Sequence, residues 1–130
     1  MGNKHVLRAE VSGLDEVESV LHLKNSLMQD DMAGLIFFCS DKFDLDKLAT
    51  EFNSSFDCPV MGCTTAGEIA SSYQNDGITA ASFSADAFCF HLITLSNLDT
   101  FDAAKARETI NALESELTFN HSFDADKMFA

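Results

Sequence analysis

The segment Pro59–Ile69, PVMGCTTAGEI, concentrates groups that could do chemistry. Gly62 and Gly67 bracket Cys63, Thr64, Thr65 and Ala66, and Glu68 follows directly. A loop of this kind offers bare backbone N–H groups, two hydroxyls, a thiol and a carboxylate. Such a set could hold a small polar or zwitterionic molecule, its carboxylate facing the N–H and hydroxyl groups and its amine facing Glu68. The bland alternative also fits. Two glycines permit a tight turn and close packing, threonine hydroxyls satisfy local backbone, and Glu68 is then solvated.

Other chemistries are disfavoured at this loop. The glycine spacing matches a phosphate-binding P-loop, but Glu68-Ile69 stands where the lysine and the magnesium-binding hydroxyl belong. Cys63 lacks an evident histidine partner and has a carboxylate nearby, which argues against a catalytic nucleophile. No catalytic residue is assigned, and the chain reads as a non-enzyme. Cys58 and Cys63 sit at opposite ends of one extended stretch, about 16 Å apart at roughly 3.3 Å per residue, too far to share a zinc ion. No metal site is expected.

The elements that position the loop follow from hydrophobic periodicity. HVLRAEV alternates, with His5, Leu7, Ala9 and Val11 on one side and Val6, Arg8 and Glu10 on the other, as in a half-exposed strand near a sheet edge. Ser12-Gly13 turns the chain, and from Asp15 Val17, Val20, Leu21, Leu23, Leu27 and Met28 recur at helical spacing. GLIFFCS is a continuous apolar run, expected as a strand covered on both faces. Leu45, Leu48, Ala49, Phe52 and Phe56 then mark the clearest amphipathic helix. CPVMGC reads as a short buried strand with Pro59 near its start.

Strand, helix and strand make a βαβ unit, whose strands run parallel through a right-handed crossover. Its two strands end at the same sheet edge, bringing Cys39-Ser40 beside Cys63-Thr64-Thr65. Ligands of open parallel sheets bind outside the carboxyl ends of the strands. The candidate ligand-binding residues are therefore Ser40, Cys63, Thr64, Thr65, Gly67 and Glu68.

Beyond Gly67, SSYQNDG reads as a polar loop. ITAASFS and AFCFHLITL are β-rich, and the Ala85-Asp86 step between them predicts an antiparallel hairpin. A third helix from about Asp102 places Ala103, Ala106, Ile110, Leu113 and Leu117 on one stripe, and DKMFA starts like another strand. The expected fold is mixed α/β. Its central sheet holds the parallel βαβ unit and an antiparallel hairpin, about three helices pack on it, and residues 1–130 form a single domain that is part of a larger one.

Composition narrows the partners. The 130 residues are 46 % apolar with twelve phenylalanines, enough for a folded core. A formal charge of −13 repels phosphate backbones and anionic membranes, so nucleic acid and membrane surfaces are not expected partners. No apolar run approaches a signal peptide or membrane span, and four cysteines in apolar contexts with no C-x-x-C pair suit buried free thiols in the cytoplasm.

GLIFFCSDKFDLDKLATEF, CPVMGCTTAGEI and GITAASFSADAFCF together resemble the amino-terminal part of the FIST domain, a prokaryotic intracellular sensory module, from about Val11 to Phe101. The most specific parts are Phe38-Cys39-Ser40, Asp44-Leu45 and Gly62 to Glu68. The resemblance implies a non-enzymatic sensor that binds a small ligand, with amino acids proposed, and signals to a kinase, cyclase or chemotaxis protein. A subset of the family is similar in organisation but binds haem, senses nitric oxide and works with a histidine kinase. Haem needs an axial ligand beside an apolar cavity. His91, which alternates with Cys89, Ile93 and Leu95, is the candidate in that case only. His22 and His121 read as solvated. A ligand-free interaction scaffold is the third reading.

Overall fold

The computed structural model describes residues 4–66, 68–69, 73–74 and 76–120. They divide into two compact units, residues 1–90 and 91–130.

The first unit is built on a four-stranded sheet. Its elements are β1 (Val6–Ser12), α1 (Glu16–Leu27), β2 (Met32–Ser40), α2 (Leu45–Ser55), β3 (Val60–Thr65), β4 (Glu68–Ile69), β5 (Tyr73–Gln74) and β6 (Gly77–Ser84). The strand order is β1-β6-β2-β3. β2 and β3 run parallel, joined through α2, and β6 runs antiparallel to both β1 and β2. The βαβ unit read from the sequence is therefore present, and the fold is mixed α/β. Gly13, at φ +71°, takes the left-handed turn from β1 into α1 that suits glycine.

Each helix starts where an aspartate can cap it. The Glu18 N–H donates to Asp15 Oδ1 at 2.9 Å, and the N–H groups of Asp46 and Lys47 donate to Asp44 Oδ1 at 3.1 Å each. These bonds satisfy donors that the first turn of a helix leaves without internal partners.

The core lies on one face of the sheet. Val11, Leu35, Phe37, Cys39, Ile78 and Ala80 from the strands meet Val20, Leu23, Leu27, Leu48 and Phe52 from the helices. Phe37 and Phe52 stack with ring centroids 4.5 Å apart. Within this apolar layer the buried Ser82 hydroxyl donates to the Leu27 carbonyl at 2.7 Å and accepts from Gln29 Nε2 at 2.9 Å, fastening the end of α1 to β6.

Three expectations are corrected. β2 is not covered evenly on both faces: Leu35, Phe37 and Cys39 are buried, whereas Phe38 on the opposite face is 45 % exposed. β3 is not a buried strand but a sheet edge, and Met61 is 49 % exposed. The predicted hairpin of ITAASFS with AFCFHLITL is absent. After β6 the N–H groups of Ala87 and Phe88 donate to the Ser84 carbonyl, a turn that ends the strand direction, and residues 88–97 hold no strand. Phe88 and Phe90 instead pack on Phe83, each with ring centroids 5.1 Å away. Phe90 also lies over Gly34, where an added Cβ would meet its ring at 2.2 Å.

The segment read as a polar loop contains β5, which pairs with β4 just before it, Gln74 with Glu68 and Tyr73 with Ile69. Among its described residues the second unit carries a 3-10 turn at Leu98–Thr100 and α3 (Ala103–Asn120), the helix expected from about Asp102. No described residue of α3 is buried. The strand expected at DKMFA lies outside the described residues.

Candidate functional site

β2 and β3 end together, with Cys39 opposite Thr64 and Ser40 opposite Thr65. β1 ends and β6 begins at the same edge, where Ser12 pairs with Gly77. The edge thus gathers the β1–α1 turn, the β2–α2 turn, the end of β3 and the start of β6.

Strand alternation then sorts the candidate residues onto two faces. Ser40, Cys63 and Thr65 share the face opposite the helices with Phe38, while Thr64 shares the helix face with Cys39 and Phe37. Ser40 is 2 % exposed, and its Oγ accepts the Lys42 N–H at 3.3 Å, a turn that closes β2. Cys63 and Thr64 are exposed, and Thr65 is half-buried. The backbone of Glu68 pairs with Gln74 in the β4–β5 ladder, and that ladder lies against β2 and β6. Gly67 lies outside the described residues.

Gly62 has a packing role. A Cβ there would stand 2.4–2.5 Å from the Phe37 ring, so the bare backbone of β3 is what lets that ring lie across the strand and stack on Phe52. For this glycine the close-packing reading of the loop holds.

Sequence reasoning missed a set of charges beside the edge. Glu16, in the first turn of α1, reaches across to α2: its Oε1 accepts the Asp44 N–H at 2.9 Å and its Oε2 lies 3.2 Å from Lys47 Nζ. These bonds, first from the Asp44 N–H, then from its own backbone N–H and then from Lys47, hold the Glu16 carboxyl below its ordinary value. Lys47 is raised in turn, chiefly by its bond to Glu16. An open recess of about 340 Å³ lies between the turns, lined by Gly13, Leu14, Asp15, Glu16, Lys42, Phe43 and Asp76. The available signal was Asp15 and Asp44, each standing just before an amphipathic run.

None of the four cysteines is in a disulfide, as expected, but only Cys39 is buried. Burial, with help from Asp57, pushes the Cys58 thiol up, and burial alone pushes Cys89 up. No cluster of metal-ligating side chains occurs among the described residues. His22 is exposed, as expected, and His121 lies outside the described residues. His91 is exposed on a segment without regular structure, not set on a strand face, which removes the alternation that nominated it as a haem ligand.

The FIST N domain family matches residues 33–129, about three-quarters of the chain. The chain belongs to the FIST N domain family. FIST domains are sensory domains of signal transduction rather than catalytic ones, and the match takes in the candidate ligand-binding residues from Ser40 to Glu68. It starts later than the resemblance from Val11, so β1 and α1 precede it. No curated protein and no solved structure matches the chain. Among the described residues no helix is long and apolar enough to cross a membrane.

Proposed function

We propose that this FIST N domain is the ligand-recognising part of a cytoplasmic sensor, and that a small amino-acid-like molecule binds at the carboxyl edge of β2 and β3. The observation that carries this reading is the register that sets Ser40 beside Thr65 and Cys39 beside Thr64 at the end of a parallel pair. Hydroxyls of Thr64 and Thr65, the backbone of the following loop and the Glu68 carboxylate supply the recognition chemistry, while Ser40 fixes the turn that borders it. Binding would then be read by a histidine kinase or another signalling protein.

A thermal-shift screen with the twenty amino acids tests this. At a concentration one hundred times Kd, binding stabilises the folded state by about 2.7 kcal/mol, which raises Tm by roughly 10 °C. The expected result is a concentration-dependent rise with one or a few amino acids that Thr64→Val and Glu68→Gln abolish. A flat panel, or a rise that both variants retain, overturns the proposal.

A further inference from the structure

β3 is the edge of the sheet, and its outer side is a row of hydrogen-bonding groups. Leu35 N–H donates to the Pro59 carbonyl at 2.9 Å, and alternation therefore turns Met61, Cys63 and Thr65 toward β2. The N–H and C=O groups of Val60, Gly62 and Thr64 point the other way. Among the described residues no strand lies on that side.

The two edges of this sheet differ in chemistry. β1 carries Arg8 and Glu10, and charges of that kind discourage edge-to-edge pairing. β3 reads Val-Met-Gly-Cys-Thr-Thr, with no lysine, carboxylate or internal proline over its six residues. In a chain of charge −13 this edge can meet its own copy without setting like charges against each other.

We propose that β3 is a self-association surface, where a second copy of this chain pairs antiparallel about a two-fold axis at Gly62. This register uses the edge fully. Gly62 exchanges a pair of hydrogen bonds with Gly62 of the second copy, and Val60 exchanges a pair with Thr64 at each end, so every outward donor and acceptor is bonded. At Gly62 the Phe37 ring takes the place that a side chain would occupy, so β3 itself sets no side chain on the axis. On the open face Met61 comes opposite Cys63 of the second copy in the closer type of pair, with Cα atoms about 4.5 Å apart. The exposed apolar strip of Phe38 and Met61 then runs on across the axis. Six residues from each side make a contact below about 1,200 Å², which fits a weak, concentration-dependent dimer. Because both copies are acidic, added salt strengthens it.

Sedimentation of the 130-residue chain between roughly 1 and 300 µM tests the surface by mass action. The expected result is a rise from monomer to dimer mass that is larger at high salt and lost in Met61→Lys, an exposed position where lysine does not disturb the core. A second measurement fixes the register. In Met61→Cys, diamide oxidation yields a covalent dimer through the introduced thiol of one copy and Cys63 of the other, while the unsubstituted chain, whose Cys63 residues do not face each other, stays unlinked. A monomer at all concentrations, a dimer that Met61→Lys retains, or a link in the unsubstituted chain but not in Met61→Cys overturns the proposal.

Discussion

Replacing Gly62 with alanine separates packing from ligand contact at the conspicuous loop. The added methyl would stand 2.4–2.5 Å from three atoms of the Phe37 ring, well inside contact distance. The ring has little freedom to give way, being 9 % exposed and stacked on Phe52 at 4.5 Å. Overpacking of this kind costs about 1–3 kcal/mol, against which the loss of glycine freedom in the unfolded chain returns about 0.4–1 kcal/mol. The net is a destabilisation of up to about 2.6 kcal/mol, or a Tm lower by up to roughly 12 °C in a chain of this size. Urea and thermal unfolding of Gly62→Ala measure it directly. The decisive comparison is Gly62→Ala in a Phe37→Leu background, where a smaller, more pliable side chain faces the new methyl and most of the penalty disappears. A Gly62→Ala chain as stable as the parent, or a penalty unchanged in the Phe37→Leu background, refutes the reasoning.

Two further outcomes follow from charges and thiols. Because the folded Glu16 carboxyl lies below its ordinary value of 4.5, its contribution to stability is intact above that pH and is lost as pH falls through the folded value. Unfolding measured from pH 7 down to pH 3 therefore shows a shallower acid limb for Glu16→Gln than for the parent; superimposable limbs would count against the bridge. With a thiol-reactive probe near pH 8, Cys63 reacts fastest because it is exposed. Cys58 and Cys89 follow slowly because burial raises both thiols, and Cys39 reacts only on unfolding. The fast phase vanishes in Cys63→Ser, and its survival there would contradict the exposure pattern.

The parallel βαβ unit was legible because its signals are local. A continuous apolar run, an amphipathic helix with Leu48 and Phe52 on its buried side, and a second apolar run leave little choice of topology. Long-range pairing was not legible. β6 inserts between β1 and β2, so Val11 meets Ile78 far along the chain, and no periodicity within either strand announces that partner. The aromatic run at Phe88 and Phe90 misled for a related reason. Apolar composition reports that a segment covers something, and here the rings lie over Phe83 and Gly34 without joining a ladder. β3 misled similarly, since a short apolar run carries no mark of whether a neighbour flanks it on one side or two. At the candidate site the shared edge of β2 and β3 was predictable. The bridge from Glu16 to α2 was not, because it joins residues 28 and 31 positions apart across a turn.

That bridge bears on where this domain can be cut. The family match begins at residue 33, yet Glu16 accepts the N–H of Asp44, the residue that caps α2, and Val11, Val20, Leu23 and Leu27 of the core also precede the match. A chain trimmed to the family boundary would lose the helix that packs against α2 and β6 and, with β1 gone, would turn β6 into a bare edge. Expression of residues 33–130 alone should therefore give an aggregating product, and libraries or fusions of this domain should begin upstream of β1.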